Sequence, residues 1–281
     1  MQRVPLRRWG ARSWLMNVLT SGDGCIILGP GLDESTKLYR YIAFPRLVGL
    51  IEKNEIYLSR ITTWEDTWEL PSTRIPVVLD GKMRQHLPIE AFFFGQCWSL
   101  QQESDAMWRI YSTSKEGVVI QTTVGKFKLL KDVRHSALAK VIYYDDIRAA
   151  LAKKNATREY ERFGEAFLKR MAFEHEKEVR FVTAADGYCH DFVQDNDDGL
   201  TLPVSAADFI DAVTVDPRAS DGHVELLQTY CRKSGLRCVP QKSNLYGDLY
   251  KLTKLVIRYD TVKSSPKDRE PPASEIQSAA Q

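Results

Sequence analysis

Glu174, Glu176 and Glu178 stand at every second position of FEHEKEVRF, residues 173–181, and Arg180 continues the series. In an extended strand side chains alternate between faces, so these three carboxylates and Arg180 would share one face, neighbours lying about 6.5–7 Å apart along it. Two carboxylates that close raise each other's pKa, which suits one of them to take a proton near neutral pH. In a helix the same acids would spread around the cylinder, and Glu176 would pair with Arg180 at i,i+4 on a solvated surface. The run VRFVTA is rich in β-branched and aromatic residues, which favours a strand. The strand reading over 174–180 is the expectation carried forward, with Glu178 and Glu176 as the candidate catalytic pair.

Other constellations are weaker. Cys97 stands beside Trp98 with no His or Asp placed near it in sequence, so it reads as a buried thiol rather than an activated nucleophile. Trp64 and Trp68, at i,i+4 in TTWEDTWEL, read as rings that pin a loop. Lys177 has His175 two residues before it, which is not the acid that a metal-dependent nuclease strand needs. Neither GxxxxGK[ST] nor GxGxxG occurs. Cys189 and His190 are adjacent, but nothing nearby completes a zinc spacing, so no metal is expected.

Those candidates need a scaffold. The chain has 281 residues, enough for a sizeable core. Its formal net charge is +2 and 27% of its residues are charged, a balance that argues for neither nucleic acid nor a membrane surface. The five cysteines are odd in number and form no CxxC pair, as in a reduced, cytoplasmic protein. No apolar run approaches the ~20 residues of a membrane span.

The elements alternate without a regular βαβ rhythm. KLYRYI (37–42) reads as a strand. Phe44, Leu47, Val48 and Ile51 recur at i, i+3, i+4 and i+7, with Pro45 suited to a first helical turn and Asn54 to its end. Strands follow at 56–59, 92–100, 117–123 and 141–144, and Ser104 can cap a short helix carrying Met107, Trp108, Ile110 and Tyr111. A long helix is expected at about 156–173, then a strand in DAVTVDPR, a helix near 221–233 and a last strand in LRCVP. The fold class is α+β: a single domain of short mixed or antiparallel strands with flanking helices, spanning about 37–260. Residues 1–36 read as a partly irregular N-terminal extension, and 261–281, rich in Pro, Ser and charge, as a disordered tail.

The segments LYRYIAFPRLVGLIEKNEIYLS, TWEDTWE, CWSLQQESDAMWRIYSTSKEGVVI and FEHEKEVRF together resemble the family known as domain of unknown function 2971. That name carries no activity. In the loop, Glu65-Asp66-Thr67 departs from the family's usual Asn-Asp pattern. More distantly, a strand with Arg, a strand with Ser and a later Glu-x-Glu are similar to the order found in arginine-class ADP-ribosyltransferases. Here those are Arg40, Ser99 and Glu176-Lys177-Glu178, although Cys97-Trp98-Ser99 replaces the Ser-Thr-Ser form. The resemblance implies NAD as a substrate, with no metal. Arg40 would clamp the pyrophosphate, and Ser99 would position Glu178 or the ribose. Tyr41 and Ser59 would complete the cofactor wall, and Trp108 and Tyr111 would stack on a ring. It further implies a cytoplasmic toxin or antiphage defence effector, its acceptor a protein, nucleic acid or small molecule, and a partner protein or antitoxin alongside. The alternative is a non-catalytic ligand- or protein-binding module of a defence or signalling system.

Overall fold

The computed structural model describes residues 18–21, 24–66, 68–71, 77–79, 81–84, 93–133, 135–150, 163–184 and 199–247. The expected tail at 261–281, the first half of the expected helix at 156–162 and the Cys189–His190 pair lie outside the described residues.

In chain order the elements are β1 (Val18–Ser21), β2 (Gly24–Leu28), β3 (Lys37–Ile42), α1 (Phe44–Lys53), β4 (Glu55–Arg60), β5 (Val77–Leu79), β6 (Lys82–Arg84) and β7 (Phe93–Ser99). Then come α2 (Asp105–Tyr111), β8 (Val118–Thr123), β9 (His135–Lys140), β10 (Ile142–Tyr144), β11 (Leu168–Arg170), β12 (Glu178–Ala184), β13 (Gly199–Pro203), α3 (Ala206–Phe209), β14 (Ala212–Val215), α4 (Asp221–Lys233) and β15 (Gln241–Lys242). The main sheet runs β1-β2-β9-β12-β7-β3-β8-β14-β15, with β4 and β13 branching from β7. Most pairs are antiparallel, but β2 with β9 and β14 with β15 are parallel. The α+β expectation is therefore borne out as a mixed sheet with flanking helices.

The branch at β7 positions everything that follows. β3 meets β7 at a single register pair, Tyr39 opposite Ser99. β4 meets the same edge further along, Ser59 opposite Gly95 and Arg60 opposite Phe94. Between these contacts β3 and β4 part, and α1, which joins them, spans the opening. Its apolar stripe buries Leu47, Leu50 and Ile51, Pro45 stands in its first turn, and Asn54 ends it in the left-handed region at φ 51°. The Asn54 amide oxygen then accepts from the backbone N–H of Ala206 at 3.0 Å, which ties the helix end to α3.

Along β12 the side chains alternate strictly in role. Val179 and Phe181 enter the main core, where Phe181, Phe127, Phe209 and Trp98 pack with ring centroids 5.2–6.0 Å apart. On the opposite face Val182 and Ala184 join Phe93, Phe163, Ala166 and Phe167 in a second apolar cluster. Glu178 and Arg180 lie on that second face, at its polar end.

Three local expectations are corrected. The acids at 174–176 are not extended: Met171–Glu176 is a 3₁₀ segment, and Lys177, left-handed at φ 44°, turns it into β12. The expected helix over 156–173 does not form in its described part. Gly164–Phe167 is a 3₁₀ turn and Leu168–Arg170 a strand parallel to β10, because burying Phe163, Ala166 and Phe167 on the second cluster outweighs helical periodicity. LRCVP is irregular; Pro240 offers no N–H to a ladder, and pairing begins only at Gln241. Among the described residues no helix is long and apolar enough to cross a membrane.

Candidate functional site

A cavity of about 800 Å³ occupies the opening between β3 and β4. Its floor is β7 from Gly95 to Ser99, one wall is α1 with β4, and the other brings in Arg40, Tyr41, Met107, Tyr111, Glu176 and Glu178. This size suits a drug- or cofactor-sized ligand.

The carboxylate wall is a closed charge network. Arg180 is fully buried and spends every guanidinium donor: Nε on Glu178 Oε1 at 2.9 Å, Nη2 on Glu178 Oε2 at 3.2 Å and on Glu69 Oε1 at 2.8 Å, and Nη1 on the Ala166 and Leu168 carbonyls at 2.7 and 3.4 Å. The ring of Trp64 lies 4.6 Å from the guanidinium carbon. Lys169 Nζ donates to Glu178 Oε2 at 2.8 Å and also to Glu176 Oε2. The Tyr111 hydroxyl donates to Glu176 Oε1 at 3.0 Å. Burial alone would raise Glu178, but Arg180 and Lys169 overcome it and hold the carboxyl at about 2. Burial would likewise lower Lys169, and Glu178 with Glu176 holds the ammonium above its ordinary value instead. Burial raises Tyr111 and the Cys97 thiol, with Glu176 and Glu178 respectively adding to the effect.

Three acids, Glu69, Glu176 and Glu178, thus share two cations, Lys169 and Arg180. The surplus falls on Glu69. Burial raises its carboxyl further than Arg180 lowers it, and its Oε2 has no hydrogen-bond partner.

Arg40 lines the same cavity. No carboxylate stands against its guanidinium among the described residues; desolvation, with Arg46 nearby, lowers it to about 10. The cavity is therefore lined by carboxylates locked by their own counter-ions and by an arginine with spare charge.

The sequence-predicted residues mostly converge. Glu176, Glu178, Arg40, Tyr41, Ser59, Ser99 and Tyr111 all line the cavity. Their local roles differ from the expected ones. Ser99 Oγ donates to the Glu176 backbone carbonyl at 2.7 Å and accepts from Gln101 N at 3.0 Å, so it fixes the turn before β12 rather than a carboxylate. Ser59 Oγ accepts from Trp64 Nε1 at 2.7 Å. The Tyr41 hydroxyl accepts from Ser104 N at 3.0 Å, and burial raises its pKa to about 12. Trp108 is fully buried with Nε1 donating to Glu103 Oε1 at 3.0 Å, so it braces Tyr41 from behind and meets no ligand. Glu174 is exposed and pairs with Lys177 at 3.0 Å, the solvated i,i+3 arrangement. Cys97 lines the cavity instead of lying fully buried.

Sequence reasoning missed Lys169 and Glu69. Lys169 sits in a segment read as helix, and Glu69 in the TWEDTWE loop 111 residues from Arg180. Among the described residues no group of three His, Cys, Asp or Glu could hold a metal ion.

Comparison with curated proteins gave no match, and comparison with solved structures gave none either. Residues 107–181, the stretch that carries Tyr111, Lys169, Glu176, Glu178 and Arg180, match the family described as Protein of unknown function (DUF2971), the family whose motifs this chain resembles.

Proposed function

We propose that the cavity binds NAD and cleaves its nicotinamide–ribose bond, transferring ADP-ribose to an acceptor. One observation carries this reading: a carboxylate pair, Glu176 and Glu178, and an arginine with no carboxylate partner among the described residues, Arg40, line the same cavity. NAD has the matching polarity, a cationic nicotinamide-ribose end and an anionic diphosphate.

Cleavage of that bond leaves its electron pair on the nicotinamide nitrogen and builds positive charge on the sugar, much as in glycoside hydrolysis. Glu178, held ionised by Arg180 and Lys169, supplies a fixed negative field for that charge. Glu176 is the more accessible of the two, and among the described residues its Oε1 accepts from Tyr111 alone, leaving capacity for a ribose hydroxyl. When an acceptor O–H or N–H attacks the sugar carbon, its proton passes to Glu176. Arg40 binds the diphosphate, and the half-exposed Tyr111 offers a ring edge to the nicotinamide. Among the described residues Cys25, Cys97, Cys231 and Cys238 are free thiols, which fits a reducing, cytoplasmic setting. In that setting the chain acts as a toxin or defence effector.

A second reading rests on the saturation of Glu178. Both its oxygens are already held by cations, which also fits a non-catalytic ligand-binding module. Thermal shift separates recognition from its absence. NAD should raise the melting temperature of the wild type and not of Arg40→Ala; an equal shift in both, or none in the wild type, counts against the proposal.

A further inference from the structure

Between α1 and β4 the cavity is lined by Glu55 and Tyr57 of β4, away from the network of Glu176 and Glu178. Arg46, Gly49, Leu50 and Lys53 recur at helical spacing along one side of α1, and Tyr57 faces them from β4. Gly49 stands in the helix interior, where glycine is less favourable than alanine. A Cβ added there would meet nothing within 4 Å, so no protein atom accounts for the missing side chain and the space beside it belongs to the cavity.

Tyr57 packs between its neighbours on β13 and α1. A Cβ on Gly199, in the neighbouring strand β13, would fall 2.2 Å from its ring atoms, so the ring rests directly on that glycine. From the other side the Arg46 guanidinium carbon lies 5.4 Å from the ring centroid. A guanidinium stacked on an aromatic ring is itself planar and presents a second face for stacking. Beyond it, Lys53 reaches Glu55 only at 3.8 Å with 70% of its side chain exposed, and so keeps charge for an anion.

We infer that this part of the cavity is a purine-nucleotide subsite, in which the base stacks on the Arg46–Tyr57 pair against the bare backbone of Gly49 and the phosphates run inward to Arg40. The inference deepens the NAD reading, and rests on it for the identity of the ligand's other end.

Calorimetric titration with ADP and with ribose 5-phosphate tests it directly. ADP should bind the wild type at least about tenfold tighter than ribose 5-phosphate, which has no base to stack. Gly49→Leu, which fills this part of the cavity and improves helix propensity, should weaken ADP at least about tenfold without lowering the melting temperature. Arg46→Ala, a surface change that leaves the helix intact, should weaken it by a similar factor. Absence of ADP binding, or equal binding of the two ligands together with no effect of either substitution, overturns the subsite. ADP binding of the expected pattern without any release of nicotinamide from NAD keeps the subsite and removes the catalytic reading. Nicotinamide release with neither substitution affecting ADP does the reverse.

Discussion

Arg180 grips Glu178 two residues back on the same strand through two hydrogen bonds, Nε to Oε1 at 2.9 Å and Nη2 to Oε2 at 3.2 Å, with both side chains buried. Because they share a face of β12, the pair needs no backbone distortion, and Glu69 and Lys169 close the network around it. A buried pair of this kind is weak evidence of net stabilisation, but breaking one side leaves a charge without compensation. Arg180→Met should therefore lower unfolding free energy by about 3–5 kcal/mol, read from urea denaturation. A loss below about 1 kcal/mol would mean that the network is relaxed in solution.

Arg40 predicts the opposite pattern. With no carboxylate partner among the described residues, its removal costs the fold little, and Arg40→Ala should sit within about 1 kcal/mol of the wild type. Its effect should appear in binding instead, as a loss of about tenfold to hundredfold for a diphosphate ligand, the range of a charge-assisted hydrogen bond. Denaturation and titration on the same preparation check both halves.

Acid should unfold the protein through Glu178. Its carboxyl is held at about 2 in the folded chain against an ordinary 4.5, a lowered value. The stability it contributes is whole above the unfolded value and is lost as pH falls from about 4.5 toward about 2. Glu69, raised by burial, works in the other sense: it opposes folding once ionised and is relieved on protonation. The urea midpoint should fall as pH drops from about 4.5 toward about 2, and Glu69→Gln should make that fall steeper. A flat profile in the wild type would contradict the network.

Tyr111→Phe removes one donor from Glu176 and leaves the ring. It should cost about 1 kcal/mol of stability, read from urea denaturation. Unchanged stability would mean that the Tyr111–Glu176 hydrogen bond is not made in solution.

The local elements were legible where the chain's own chemistry decides them. β3, α1 with its Pro45 start and Asn54 end, the Ser104-capped α2 and the Ser220-capped α4 all follow from periodicity and capping. The site was legible in part, since seven predicted residues meet at one cavity. What stayed hidden depends on contacts distant in sequence. Nothing in MAFEHE announces that Lys169 would draw Glu176 and Glu178 together and hold the preceding turn as 3₁₀. Nothing local ties Glu69 to Arg180. The fork between β3 and β4, which makes the cavity, is a property of the pairing with β7 alone.

The most direct test is nicotinamide released from NAD by the purified chain, with cell extract supplying acceptors, measured for the wild type and for Glu176→Gln. The account predicts release by the wild type and a fall of at least about hundredfold in the variant, with its fold retained by circular dichroism. No release by folded wild type, or release that Glu176→Gln leaves unchanged, would contradict it.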